Sequence, residues 1–244
     1  MTENLQVDVT IIGSGPSGQK AAIQAAKLGK SVIIIEKDSF PGGVCLNTGT
    51  IPSKTLRESI LDLTDFHQRS FYGKDHKLSN ISINDLNFRL NKVIEVEQNL
   101  ILRQFKKNKI QLLYGAASFD GPNDLNVTDK DHKILYRIKS DCFVIATGSK
   151  PRNPIEVPFD KDVILDSTRL LSIDTLPKTM LVLGGGIIGS EYASFFSLLG
   201  TKVTVIDKKT HMLPLLDSEI GIHLQTALSD LGLEFWENKT PRKI

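Results

Sequence analysis

Val7-Asp8-Val9-Thr10-Ile11-Ile12-Gly13-Ser14-Gly15-Pro16-Ser17-Gly18 is one of two copies of a single pattern in this chain. The other, Met180-Leu181-Val182-Leu183-Gly184-Gly185-Gly186-Ile187-Ile188-Gly189, lies 171 residues further on. In both, an apolar strand-like run leads into G-x-G-x-x-G and then into a helix-like stretch. Gly29 and Gly200 each follow the first glycine of their copy by 16 residues. Ser31-Val32-Ile33-Ile34-Ile35-Glu36 and Thr201-Lys202-Val203-Thr204-Val205-Ile206-Asp207 then place an acid 23 residues after that glycine. A lone G-x-G-x-x-G is weak evidence, whereas a strand before it, a helix after it and an acid closing the next strand make a dinucleotide-binding fingerprint.

The residue types have separate tasks. The first glycine permits a tight strand-to-helix turn, the second lets backbone approach a pyrophosphate, and the third lets helix pack on strand. Free N–H groups and the positive end of the helix dipole hold the phosphates. Glu36 and Asp207 are placed to accept from ribose hydroxyls. Two fingerprints imply two dinucleotides, the layout of a flavoprotein fed by a nicotinamide. The expected fold is α/β, with two Rossmann-like doubly wound dinucleotide-binding domains.

The bulk composition fits that class. A chain of 244 residues suits one large domain or two ordinary ones. It is 40% hydrophobic and 24% charged, with a net charge of +2, which gives no electrostatic case for nucleic acid or an anionic membrane. The start Met1-Thr2-Glu3-Asn4 lacks the basic region of a signal peptide, and no segment has the length of a membrane span. Cys45 and Cys142 make no disulfide framework. The five histidines fall in no motif and no cluster has metal-ligand spacing, so no metal is expected. The expectation is a soluble, cytoplasmic protein.

Periodicity organises the rest. Leu56, Ile60 and Leu63 predict a helix from Ser53 to about Phe66, and His67–Ser82 reads as a surface connection. Leu86, Leu90, Val93, Val96, Leu100 and Ile101 predict a single apolar stripe along a helix from Ile83 to Lys107. Short strands are expected over Ile110–Tyr114, Leu125–Thr128 and Ile134–Ile138, followed by a buried strand Cys142–Ala146 with Cys142 in the core. Ser218–Leu231 predicts one more helix and Leu233–Trp236 one more strand. The expected domains are 1–150 for FAD, 151–176 as a proline-marked linker and crossover, and 177–244 for NAD(P). With so few strands the last is expected to be incomplete.

The segment Gly42-Gly43-Val44-Cys45-Leu46-Asn47-Thr48-Gly49-Thr50-Ile51-Pro52-Ser53-Lys54 follows closely on the first acid. Here the chain resembles the flavoprotein disulfide reductase (class I pyridine nucleotide-disulfide oxidoreductase) family. That family carries G-G-x-C-x-x-x-x-C-x-P-S-K, with two cysteines that form a redox disulfide beside the flavin. Cys45 matches the first, and Thr50 stands where the second would be. Ala146-Thr147-Gly148 and Glu191 match other landmarks of the family.

Thr50 changes the implied chemistry. Relay from flavin to a disulfide substrate needs a dithiol that exchanges as thiolate, and a lone sulfur beside a threonine cannot cycle in that way. The branch that combines a single cysteine with G-T-I-P-S-K transfers hydride between nicotinamide nucleotides. The resemblance therefore implies Si-specific, ping-pong transfer from NADPH to NAD through FAD N5. It implies roles for Lys54 near the flavin, Glu191 as the acid that holds Lys54, and Cys45 and Thr50 as flavin neighbours without a redox role. FAD would be held by Gly13, Ser14, Gly15, Pro16, Ser17, Gly18, Glu36, Lys37, Gly42, Gly43, Val44, Cys45, Gly49, Thr50, Lys54, Gly115, Ala116, Ala146, Thr147 and Gly148. NAD and NADP would use Gly184, Gly186, Ile187, Ile188, Gly189, Glu191, Asp207 and Lys208.

Asp207 favours NAD through the ribose 2′-hydroxyl, while Lys208 and Lys209 could offset its repulsion of a 2′-phosphate. The resemblance also implies a homodimer built by a C-terminal domain, which is not expected within this sequence. Two other readings stay open: a dihydrolipoyl-dehydrogenase-like diaphorase that passes electrons to quinone or oxygen, and a truncated fragment inactive alone.

Overall fold

The computed structural model describes residues 2–68, 82–160 and 162–242, with backbone alone over 63–68. The expected connection over His67–Ser82 and the burial of Leu63 lie outside the described residues or side chains. The chain divides into two units, Met1–Ser53 with Asn91–Lys150, and Lys54–Leu90 with Pro151–Ile244.

The first unit holds a six-stranded sheet. Its strands are β1 (Glu3–Ile12), β2 (Val32–Glu36), β3 (Gln111–Tyr114), β4 (Ala116–Phe119), β5 (Asp124–Thr128) and β6 (Ile134–Ile145), in the order β3-β2-β1-β6-β5-β4. The first four of that order are parallel, and β6, β5 and β4 run antiparallel. β-Branched residues dominate β2 because they pack well on a pleated sheet, and all five of its positions are buried. α1 (Pro16–Lys27) links β1 to β2 and begins with proline, whose missing N–H falls among amides that have no helical partner anyway.

The second unit repeats the start of this plan. β7 (Thr179–Leu183), β8 (Lys202–Ile206) and β9 (Glu234–Trp236) form a parallel sheet in the order β7-β8-β9. β9-β8-β7 therefore matches β3-β2-β1. α5 (Ile187–Leu198) joins β7 to β8, and α6 (Ser218–Asp230) joins β8 to β9. Tyr192, Ala193, Phe195 and Phe196 of α5 pack with Val203 and Val205 of β8 and with Met212. Phe196 is 2% exposed, so truncating it to alanine should remove about 3–5 kcal/mol of stability.

Three further helices are α2 (Gly43–Asn47), α3 (Thr50–Gln68) and α4 (Ile83–Lys107). α4 begins on a capping box, in which the Asp85 N–H donates to Ser82 Oγ and the Ser82 N–H donates to Asp85 Oδ2.

Several sequence expectations need correction. α4 carries no single stripe: Ile83 and Leu86 join one buried cluster, whereas Ile101 and Phe105 join another. Val96 and Leu100, between the two sets, are exposed. Ile134–Ile138 and Cys142–Ile145 belong to one strand. Cys142 is exposed rather than in the core. β5 pairs with β6 only as far as Lys139 and Asn123 still bonds Ser140, so beyond Ser140 β6 pairs with β1 alone among the described residues. α2 and β4 were not foreseen.

Candidate functional site

The two glycine loops have the same local geometry. Gly13 and Gly184 both have φ of +106°, a left-handed conformation open to glycine. Their N–H groups donate to Ile35 O and Ile206 O, each at 2.8 Å. A Cβ on Gly18 would stand 2.0 Å from Gly13 O, and one on Gly189 2.0 Å from Gly184 O. The third glycine of each copy is thus fixed by the approach of helix to strand.

The acids hold the loops from the other side. Glu36 is buried and its Oε2 accepts from the Ser14 N–H at 3.0 Å and from Ser14 Oγ at 2.5 Å. Its Oε1 accepts from the Asp38 N–H. In the second copy Asp207 Oδ2 accepts from the Gly185 N–H at 2.6 Å and Oδ1 from the Lys209 N–H at 2.9 Å. Gly185 is buried, and a side chain there would meet Phe235, Asp207 and Met212. Leu213 pins the same loop by donating its N–H to Gly185 O at 2.7 Å.

The starts of α1 and α5 are open. Their N-caps, Gly15 and Gly186, are extended and carry no side-chain cap. A Cβ on either would meet nothing within 4 Å. α6, by contrast, is capped by Asp217, which accepts from the Glu219 N–H. The amides of Ser17 in α1, where Pro16 has none, and of Ile187 and Ile188 in α5 precede the first helical bonds, and this donor set fits a phosphate. Pro16, Ser17, Ile187 and Ile188 are exposed at these openings.

In the first unit the segment after Glu36 folds back on the loop. The Gly42 N–H donates to Ser14 O at 3.2 Å and Ser14 Oγ at 3.1 Å. A Cβ on Gly43 would stand 2.9 Å from Gly15 Cα. Asn47 donates to Gly43 O and accepts from Gln98 Nε2 at 2.8 Å, which steadies α2. Val44 and Cys45 therefore sit on a helix tied to the glycine loop, with Val44 exposed and Cys45 half-buried. Gly49 packs on Val44, and Thr50, exposed, opens α3. Ala146 donates its N–H to Ile12 O at 2.9 Å and its carbonyl fills the space beside Gly13; Thr147 and Gly148 follow, exposed. Gly115 donates to Glu36 O at 2.8 Å, Ala116 begins β4, and Lys37 is exposed.

Lys54 and Glu191 come together within the second unit as an ion pair. Lys54 is 58% exposed and Glu191 19%. Such a pair adds at most about 1 kcal/mol to stability. Next to Glu191, burial pushes the Tyr192 phenol up to about 12, and the Glu191 charge adds to that shift. Tyr192 therefore stays protonated at neutral pH. Lys208 is exposed beside Asp207.

The buried hydroxyl of Ser14, the Asn47–Gln98 brace and the approach of Lys239 to Asp207 were missed in the sequence. A serine between two fingerprint glycines hinted at the first. The others are contacts distant in sequence and left no local signal.

Two glycine-loop βαβ units of matching geometry define an α/β protein with two dinucleotide-type sites. The chain belongs to the Pyridine nucleotide-disulphide oxidoreductase family, which it matches over residues 7–244. A "Soluble pyridine nucleotide transhydrogenase" of Mycobacterium bovis is 45% identical over 231 residues, covering 94% of this chain and 49% of that protein. One from Photobacterium profundum is 35% identical, covering 100% of this chain and 52% of its own length. The solved structure of RclA, an HOCl-induced flavoprotein disulfide reductase from Escherichia coli, superposes with a TM-score of 0.82 at 30% identity, covering 97% of this chain and 50% of its own. The chain spans about half the length of the curated relatives it matches. Among the described residues no helix is long and apolar enough to cross a membrane.

Proposed function

We propose that this chain carries the nucleotide-binding part of an oxidoreductase that moves hydride from NADPH to NAD by way of FAD. The observation that carries this reading is Thr50 at the first turn of α3, one turn before the Lys54–Glu191 pair. Glu191 pairs with Lys54, the lysine that the reading sets beside the flavin, while Thr50 offers no second sulfur for a relay. The names of the relatives support the same direction.

The first glycine loop, Glu36 and the segment Gly42–Lys54 are the residues that would hold FAD, and the second loop with Asp207 would hold the nicotinamide nucleotides. When bound, FAD supplies a two-electron carrier between two nicotinamides. The amides at the start of α1 and α5 hold pyrophosphate. Lys54 brings a positive charge that favours an electron-rich ring, and Glu191 keeps that charge in place. NADPH and NAD would take turns at the one second-copy site, so the kinetics would be ping-pong; Si-specific transfer is a further part of the same proposal. Cys45 packs as a small, soft side chain and does not cycle.

The test is isotopic. The chain loaded with FAD is given NADPH deuterated in turn on each face of nicotinamide C4, together with NAD. Label appearing in NADH from the Si face alone supports the reading, and label from the Re face contradicts its stereochemistry. Consumption of NADPH that yields no NADH, and proceeds only with quinone or oxygen, contradicts it in favour of the diaphorase.

A further inference from the structure

The two copies differ at the backbone neighbour of their acids. In the first, the residue that donates its N–H to Glu36 O is Gly115, at 2.8 Å. In the second, Asp207 O receives the N–H of Lys239 at 2.9 Å. Lys239 is held there by a turn beyond β9, in which Asn238 takes the left-handed conformation (φ +54°) and donates to Lys209 O at 3.2 Å. The Asp207 N–H in turn donates to Trp236 O at 3.2 Å. A segment about thirty residues further along the chain is thus laced to the acid and to the lysine after it.

The charges around the two acids differ accordingly. Glu36 is followed by Lys37 and Asp38, so that site keeps a net negative charge. Around Asp207 stand Lys208, Lys209 and Lys239, with Glu237 as the one further acid of the laced segments. All three lysines are exposed, and no ion pair engages them among the described residues. Both carboxylate oxygens of Asp207 already accept a backbone N–H, which offsets part of its charge. The acid of such a fingerprint marks where the adenosine ribose 2′-position lies, and a cation beside it accommodates a 2′-phosphate. Lysine serves a phosphate as a mobile point charge and needs no fixed fork.

We infer that Lys239 is a specificity-determining residue of the second site, adding acceptance of 2′-phosphorylated adenine nucleotides to an acid that by itself selects the 2′-hydroxyl. This rests on the reading of the second copy as a nicotinamide-nucleotide site. It explains how one pocket takes NADP and NAD in turn: Asp207 serves the hydroxyl and Lys239, with Lys208 and Lys209, serves the phosphate.

The probes are adenosine 2′,5′-bisphosphate and 5′-AMP, with binding to the full chain measured by calorimetry at low and high salt. Lys239→Gln is expected to weaken the bisphosphate about fivefold and leave 5′-AMP unchanged, the scale of one exposed cation–anion contact. The difference should shrink as salt rises, and Lys239→Arg should restore most of it. Equal losses for both probes would make Lys239 a prop for the turn and overturn the inference. So would no loss for either. Wild-type chain that binds 5′-AMP but not the bisphosphate overturns the inference and leaves the site reading standing. Wild-type chain that binds neither probe overturns both.

Discussion

Ser14 and Gly185, the second residues of two glycine loops, each donate a backbone N–H to the acid that closes the next strand, Glu36 at 3.0 Å and Asp207 at 2.6 Å. Besides the ribose contact proposed for it, the acid fixes the glycine loop, so the two ends of each fingerprint depend on one another. Glu36→Gln or Asp207→Asn would keep the size but weaken a charge-assisted bond to a buried N–H. Each should loosen its own copy by about 1–2 kcal/mol. Hydrogen exchange at Ser14 and Gly185 would report the change copy by copy.

Glycines of one loop should fail in different ways. A Cβ on Gly18 meets Gly13 O at 2.0 Å, so Gly18→Ala forces the helix off the strand and should destabilise the fold by about 3 kcal/mol. Gly15 has open space in front of it, so Gly15→Ala should fold normally and lose FAD affinity instead. Thermal melting with and without FAD separates the two. Normal FAD retention by Gly15→Ala would contradict the placement of the pyrophosphate.

Breaking the Lys54–Glu191 pair should touch chemistry more than stability. Glu191→Gln frees an exposed lysine, so the melting temperature should move little. A misplaced cation should slow flavin reduction by NADPH by about tenfold or more, read by stopped flow. Cys45→Ser should leave transfer between nicotinamides within about threefold, because a lone thiol beside Thr50 relays nothing.

Thr10 points to an easy gain in stability. It is fully buried in β1, and its hydroxyl has no hydrogen-bond partner among the described residues. Thr10→Val keeps the shape and removes the orphan, which should stabilise the protein by about 1 kcal/mol in denaturant unfolding.

A pH effect is expected at the β1–β2 entry. Asp8 accepts from the Ser31 hydroxyl and N–H, with Lys30 nearby, and these hold its carboxyl down at about 2. The folded value lies below the unfolded one. This contribution is therefore present above about pH 4 and fades as pH falls towards 2. Ser31→Ala should move the Asp8 titration back towards 3.8, followed by carboxyl NMR.

Much of the site was legible because its chemistry is local. A β-branched run, a glycine at φ +106° and an acid at strand end leave marks at fixed spacing, and Gly13–Gly18 and Gly184–Gly189 carried them. Helix α4 was legible in its bounds and misread in its face. Periodicity reports that a helix has an apolar side, whereas α4 contributes to two separate buried clusters and leaves Val96 and Leu100 outside both. Cys142 was misread because an apolar run looks the same with one neighbouring strand as with two. Lys239 carried no signal at all, since only the chain's return past β9 brings it to Asp207.

The most direct measurement is the visible absorption spectrum of the FAD-loaded chain during anaerobic NADPH titration, with NAD added afterwards. Bleaching by NADPH followed by recovery on NAD is the predicted result. Flavin that bleaches but recovers only on admission of oxygen or quinone, or a chain that does not retain added FAD, would contradict the account.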